Sequence, residues 1–376
     1  MQQAQDNSHK IKDQDDLPSG GTMLRKTLGT TIALLTLLML TACKSNHGAQ
    51  SGTIALSGAG STFVYPAMSQ WIAGYQQAHP SAQINYQSIG SGGGIQQVRV
   101  GTVDFGASDV ALTDEQLKTM PAVLQIPESA GPVCITYNLP DVKQPLQLTP
   151  AAIAGIYLGT IKTWLDPEIA KANPGVKLPA GNIVVVHRAD GSGTTGIFTE
   201  YLSAISPAWK SKVGFGTSVG WPVGLGGKGN EGVTGQVNNA TGSIGYVELA
   251  YAQQNKLPVA AVENQAGKFI LPSTASTSAA IDGAKDIIAA DPRTPIVNSP
   301  ASAPEAYPIS GLTFLIVPKD GPDHAKRSEL KKFIQYIITD GQNAASALNY
   351  APLPESVQQF DQQQLGQMLA GGQPIQ

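Results

Sequence analysis

From residue 53 onward, short apolar runs alternate with stretches whose apolar positions recur at helical spacing. "TIALSGAG" reads as a strand ending in small residues, and "TFVYPAMSQWIAGYQQAH" continues with an apolar helical face. "AQINYQSIG" predicts a second strand, leading into "SGGGIQQVRVG". "VDFGASD" predicts a third, followed by "LTDEQLKTM", where Thr113 and Gln116 fit a capping box. Three such units in succession predict an α/β fold with a parallel sheet whose strand ends share one edge.

The pattern restarts near residue 132. "PVCITYN" reads as a strand, and "LTPAAIAGIYLG" as a helix with Thr149 as N-cap, Pro150 in the first turn and Gly159 as its stop. "NIVVVHRAD" predicts a buried strand. "SGTTGIFTEYLSAI" predicts a helix with an apolar face at Ile197, Phe198, Tyr201, Leu202 and Ile205. Residues 272–305 are rich in Pro, Ala and Ser and carry one helical piece, "STSAAIDGAKDIIAA". "GLTFLIVPK" and "KRSELKKFIQYIIT" then add a late strand and a late amphipathic helix. If these complete the first domain, the chain crosses between two domains twice, near residues 131 and 306.

The segment ahead of this pattern reads as targeting sequence. Residues 1–22 are polar and charged, whereas Met23 followed by "LRK" and "LGTTIALLTLLML" has the basic and apolar regions of a signal peptide. Met23 is therefore the expected start. The apolar run is too short for a membrane span, which needs about 20 residues. It ends in "LTAC", Leu40 to Cys43, which resembles the lipobox of bacterial lipoproteins; an ordinary cleavage site is the competing reading. A polar tether follows to residue 52. The mature chain is thus expected to be exported and anchored by a lipid on Cys43.

Composition narrows the function. The length of 376 residues favours two domains, and 41% apolar against 14% charged residues is globular. A net charge of −3 argues against nucleic acid as a partner. With Cys43 lipidated, Cys134 has no partner and reads as an inert buried thiol. Five histidines without ligand spacing argue against a metal, and no cofactor is expected.

Four segments place small or hydroxyl residues where a strand ends and a helix begins: Ser61-Thr62-Phe63, Ser91-Gly92-Gly93-Gly94, Ser108-Asp109 and Ser192-Gly193-Thr194. Ligands of open α/β sheets bind at this edge, where helix N-termini offer unpaired N–H donors. Any one segment could be plain helix capping; four together point to a small oxyanion. Arg188 supplies planar donors suited to such an anion, and Asp190 is placed to orient it, unless the two form only a surface ion pair. Asp109, if it is not a helix cap, makes sense as an acceptor for an anion that carries a proton. The four tryptophans read as packing. "GLGGKGNEG" (224–232) fails the P-loop template, since Gly229 follows Lys228, and reads as a structured Gly-rich loop. His187, Asp190 and Ser192 suggest a hydrolase triad, but they sit in one strand and turn, and His187 and Arg188 should face opposite ways.

Six blocks, "GAGSTFVYP", "IGSGGG", "TVDFGASD", "HRADGSGT", "WPVGLGGKGNEG" and "GSIGYVE", resemble in order the phosphate-binding lipoproteins and periplasmic proteins of the phosphate-specific ABC importer. The resemblance runs from about residue 53 to "LNYAPLPESV". It implies a two-lobed periplasmic-binding-protein type II fold, a Venus flytrap with two hinge crossings. Lobe one would comprise residues 53–131 and 306–370, and lobe two residues 132–305. By the same resemblance Ser61, Thr62, Phe63, Ser91, Arg188, Ser192, Gly193 and Thr194 donate to inorganic phosphate, monobasic or dibasic. Asp109 would accept its proton and Asp190 brace Arg188. The implied partners are the permease subunits of a phosphate ABC transporter, served by a monomer without catalytic residues. A secreted phosphatase or a phosphate-sensing surface lipoprotein on the same scaffold are the competing functions.

Overall fold

A computed structural model describes residues 52–375. The expected leader, the lipidation site Cys43 and the tether up to residue 51 lie outside the described residues.

Strands β1 (Ile54–Gly60), β2 (Ala82–Ser88) and β3 (Phe105–Ser108) pair in parallel with β1 in the middle. Crossover helices make this arrangement possible: α1 (Tyr65–Ala78) buries Met68, Trp71 and Tyr75, and α2 (Ser91–Arg99) buries Ile95 and Val98. The predicted capping box starts α3 (Asp114–Lys118). Asp109 is therefore not a helix start, contrary to the pattern of the other three segments. Four residues separate it from α3, and its carboxylate turns inward to buried hydroxyls instead.

The expected restart at residue 132 is also corrected. "PVCITYN" is the second half of one long strand, β4 (Val123–Tyr137), which is buried almost throughout. After β4 come the short β5 (Gln147–Leu148), α4 (Pro150–Leu158) and α5 (Pro167–Ala172). Thr149 caps α4 and Gly159 ends it at φ +73°, as the sequence requires. Next are β6 (Val184–Arg188), α6 (Gly193–Ile205), α7 (Pro207–Lys212), β7 (Leu225–Gly227), α8 (Gly229–Asn239), β8 (Ser243–Glu248) and α9 (Leu249–Gln254). A small sheet adds β9 (Ala261–Glu263) and β10 (Phe269–Ile270) to β5. The single helical piece expected after residue 272 is two helices, α10 (Thr274–Gly283) and α11 (Lys285–Ala290), broken at Ala284. The chain closes with β11 (Ser310–Pro318), α12 (His324–Ile338), α13 (Gly341–Ser346), α14 (Glu355–Leu365) and the hairpin β12 (Leu369–Ala370) and β13 (Gln373–Pro374).

The main sheet runs β2-β1-β3-β11-β4-β8-β6-β7. Its organisation turns on β4, which pairs antiparallel with β11 from Val123 to Pro132 and with β8 from Val133 to Tyr137. One strand thus belongs to two half-sheets and changes partner between consecutive residues. The late strand β11 does return to the first half, between β3 and β4. The register shifts opposite Thr313 and Phe314, where Glu128 is the extra residue of a bulge in β4. That bulge turns Glu128 out of the ladder and beside the candidate site.

Candidate functional site

In the first half, the chain leaves β1 through Ser61, whose N–H bonds to Ala107 O at 2.9 Å. Three consecutive carbonyls of this turn are each taken by a buried tyrosine hydroxyl. Tyr86 donates to Ser61 O (2.9 Å), Tyr251 to Thr62 O (2.5 Å) and Tyr350 to Phe63 O (2.6 Å). A trans peptide points its N–H opposite its carbonyl. The N–H groups of Thr62 and Phe63 therefore face away from the tyrosines.

Asp109 sits among hydroxyls. Ser61 and Thr313 (3.3 Å) donate to its Oδ1 and Ser91 (3.5 Å) to its Oδ2. Burial pushes its pKa up to about 6, although those hydrogen bonds and the charge of Arg188 pull the other way. Thr313 Oγ1 also lies 3.1 Å from Glu128 Oε1. Burial, reinforced by the charge of Asp109, pushes Glu128 up to about 8. Burial thus pushes both carboxyls toward the neutral form, Glu128 further than Asp109, and a single hydroxyl bridges them.

In the second half, Arg188 closes β6 with its side chain only 1% exposed. Its Nε and Nη2 grip the two oxygens of Asp190 at 2.8 and 2.6 Å. Gly229 N–H, from the start of α8, adds a third bond to Asp190 at 3.0 Å. Burial opposes ionisation of Asp190, but Arg188 and this N–H together hold its carboxyl below the usual range. The bidentate pair uses two of the five guanidinium N–H groups and Thr194 Oγ1 takes a third at 3.4 Å, so two can serve a ligand. Ser192 caps α6 by accepting from Thr195 N–H at 3.0 Å.

The two halves meet here. Gly193 N–H donates to Ser91 Oγ at 3.0 Å, and Gly92 N–H to Gly191 O at 2.9 Å. A Cβ on Gly92 would lie 3.1 Å from Gly191 Cα, so the backbones approach too closely for a side chain to fit easily. Gly90 is at φ +86°, a conformation that favours glycine. These bonds bring Ser61, Ser91 and Asp109 of the first half to Gly193 of the second, with Arg188 and Asp190 beside Thr194. Phe63 and Ser192 adjoin this seam without a bond across it among the described residues.

Several residues that complete the seam carried no sequence signal of their own. They are Glu128, Thr313, the three tyrosines and Asn230, which contacts both Thr62 and Thr194. Asn230 lies in the Gly-rich "GLGGKGNEG", and the start of a helix there was the available clue. The triad does not assemble. His187 stacks on Trp221 with centroids 4.8 Å apart, and Ser192 Oγ is engaged as a helix cap. Trp71, Trp164 and Trp209 are fully buried packing, and Cys134 is a buried free thiol. Among the described residues no cluster of His, Cys, Asp or Glu suits a metal, and no helix is long and apolar enough to cross a membrane.

A family profile described as "PBP superfamily domain" matches residues 47–341. The phosphate-binding protein PstS of Xylella fastidiosa is 43% identical, over 87% of this chain and 94% of its own length. The PstS protein of Haemophilus influenzae is also 43% identical, over 81% and 90%. Among solved structures, a high affinity periplasmic phosphate-binding protein, PfluDING, bound with phosphate, aligns with a TM-score of 0.65 at 23% identity. It covers 81% of this chain and 92% of that one. A phosphate-binding protein from Stenotrophomonas maltophilia aligns with a TM-score of 0.63 at 20% identity, over 81% and 92%. At these identities the solved structures speak for the fold, which is that of the two-lobed binding proteins.

Proposed function

Since the chain belongs to the PBP superfamily and, within it, to the phosphate-binding proteins of phosphate ABC transport, we propose that it binds inorganic phosphate and delivers it to membrane permease subunits. One observation carries the reading at the level of atoms: a buried carboxyl group, Asp109, stands among hydroxyl donors and within reach of the charge of Arg188. A fully deprotonated anion would be repelled there. An anion with a proton to give satisfies Asp109 and the donors together.

In this reading Thr62, Ser192 and Thr194 offer hydroxyls and Phe63 a backbone N–H. The hydroxyls of Ser61 and Ser91 and the Gly193 N–H, engaged with Asp109 and with each other in this structure, turn to the anion as it enters. Arg188 supplies the countercharge, aimed by Asp190. The change of partner in β4 at Pro132 and Val133 supports lobe boundaries near residues 131 and 306. Closing the lobes brings both donor sets onto one anion, an equilibrium that the ligand shifts. No step of bond cleavage is needed, and the chain acts as a receptor rather than an enzyme. The leader and "LTAC" support export and a lipid anchor on Cys43, at the periplasm or cell surface.

Calorimetry with phosphate, sulfate and arsenate tests this. Phosphate should bind tightly and sulfate at least about a hundredfold more weakly. Tight sulfate binding, or no phosphate binding, sinks the proposal.

A further inference from the structure

Asn230 holds two threonines from opposite sides of the seam. It is fully buried near the start of α8. Its Oδ1 accepts the Glu248 backbone N–H at 3.0 Å, which settles which end of the amide is the NH2 group. That Nδ2 lies 2.7 Å from Thr62 Oγ1, in the first lobe, and 3.2 Å from Thr194 Oγ1, in the second. The backbone N–H of Asn230 also donates to Thr62 Oγ1, at 3.2 Å. Arg188 Nη1 reaches Thr194 Oγ1 at 3.4 Å.

A hydroxyl owns one proton and two lone pairs. Two N–H donors converge on each of these oxygens, so each is occupied as an acceptor and has its proton left to give. Among the described residues neither proton finds an acceptor. The hydroxyls are thereby set as donors, which is the role an oxyanion requires. Nothing else in the seam fixes both at once. Thr62 follows β1 and Asn230 lies in α8, on different halves of the sheet, so bringing the halves together would complete the arrangement.

We propose that Asn230 is a positioning residue for the anion: it makes the hydroxyls of Thr62 and Thr194 obligatory donors and ties that setting to lobe closure. The proposal rests on the phosphate-binding reading above. Without the amide, either hydroxyl can rotate toward another partner, and part of the binding free energy goes into turning it back. A carboxylate at this position would draw both protons away from the ligand.

A thermodynamic cycle on the full chain tests it, with phosphate affinity measured by calorimetry and folding by thermal melts. Asn230→Ala alone should lower affinity roughly ten- to a hundredfold, since hydrogen bonds to charged groups are at stake. In a Thr62→Val/Thr194→Val background, the same substitution should change affinity less than about threefold, because its two targets are gone. Asn230→Asp should lose more affinity than Asn230→Ala. If Asn230→Ala does not fold, Asn230→Ser replaces it in the same cycle, with the same expectation of loss only where the threonines remain. An equal loss in both backgrounds would make Asn230 a scaffold residue and overturn the proposal, as would no loss in the parent. A folded parent that binds no phosphate would instead bring down the functional reading beneath it.

Discussion

The two lobes build their sides of the seam from opposite materials. The first presents hydroxyls around two acidic side chains, Asp109 and Glu128, and fixes its turn by giving three carbonyls to three tyrosines. The second presents a guanidinium held by a carboxylate and the start of a 13-residue helix. One side therefore attracts any anion, through charge and the helix dipole. In the proposed function the other side selects an anion that can satisfy an acceptor. That reading assigns affinity and selectivity to different lobes, and substitutions should separate them.

The largest effect is expected on the attracting side. Arg188→Met should reduce phosphate affinity roughly a thousandfold, because charge-assisted bonds are lost and Asp190 is left facing the ligand. Any anion the parent binds should suffer equally in calorimetry. A loss confined to phosphate would erase the division of labour.

Asp109→Asn should cost phosphate less, about tenfold, while sulfate binding rises, so that selectivity falls more than affinity. Equal losses for both anions would argue against a proton-reading carboxylate. The pH dependence sharpens the same point. Burial raises Asp109 to about 6 in the folded chain, above the roughly 3.9 of an unfolded one. Its contribution to stability is thus fully present below about pH 4 and is lost as pH rises through about 6. Phosphate affinity should move oppositely, falling as pH drops below about 6 and Asp109 gains a proton. Asp109→Asn should flatten both profiles, in thermal melts and in calorimetry.

A smaller effect is expected from Ser192→Ala. It removes a cap worth about 1 kcal/mol and one donor, which should lower the melting temperature by a few degrees and weaken phosphate modestly. His187→Leu should leave affinity within about twofold, since its ring packs on Trp221 and points to no ligand group. Neither protein, nor the parent, should turn over p-nitrophenyl phosphate. Turnover abolished by Ser192→Ala would restore the hydrolase reading.

The sequence by itself determined most strands and helix starts, though neither the full run of β4 nor the place of Asp109, and it supplied the donor list as an expectation. Those signals are local: apolar period, glycine at strand ends, a hydroxyl before a helix, and Arg188 two residues from Asp190. Even the return of the late strand to the first half could be anticipated, because β11 needed a sheet to pair with. Tertiary structure alone decided the rest. That Asp109 is an inward acceptor and not a cap depends on Thr313, which is 204 residues away. The carbonyls of Ser61, Thr62 and Phe63 are taken by tyrosines 25, 189 and 287 residues distant. Asn230 reaches Thr62 across 168 residues, from the start of a helix where the sequence reads as a structured Gly-rich loop. A hydroxyl's role as donor or acceptor is not a property of its residue type. It is fixed by which neighbours occupy its lone pairs, and here folding brings those neighbours from distant parts of the chain.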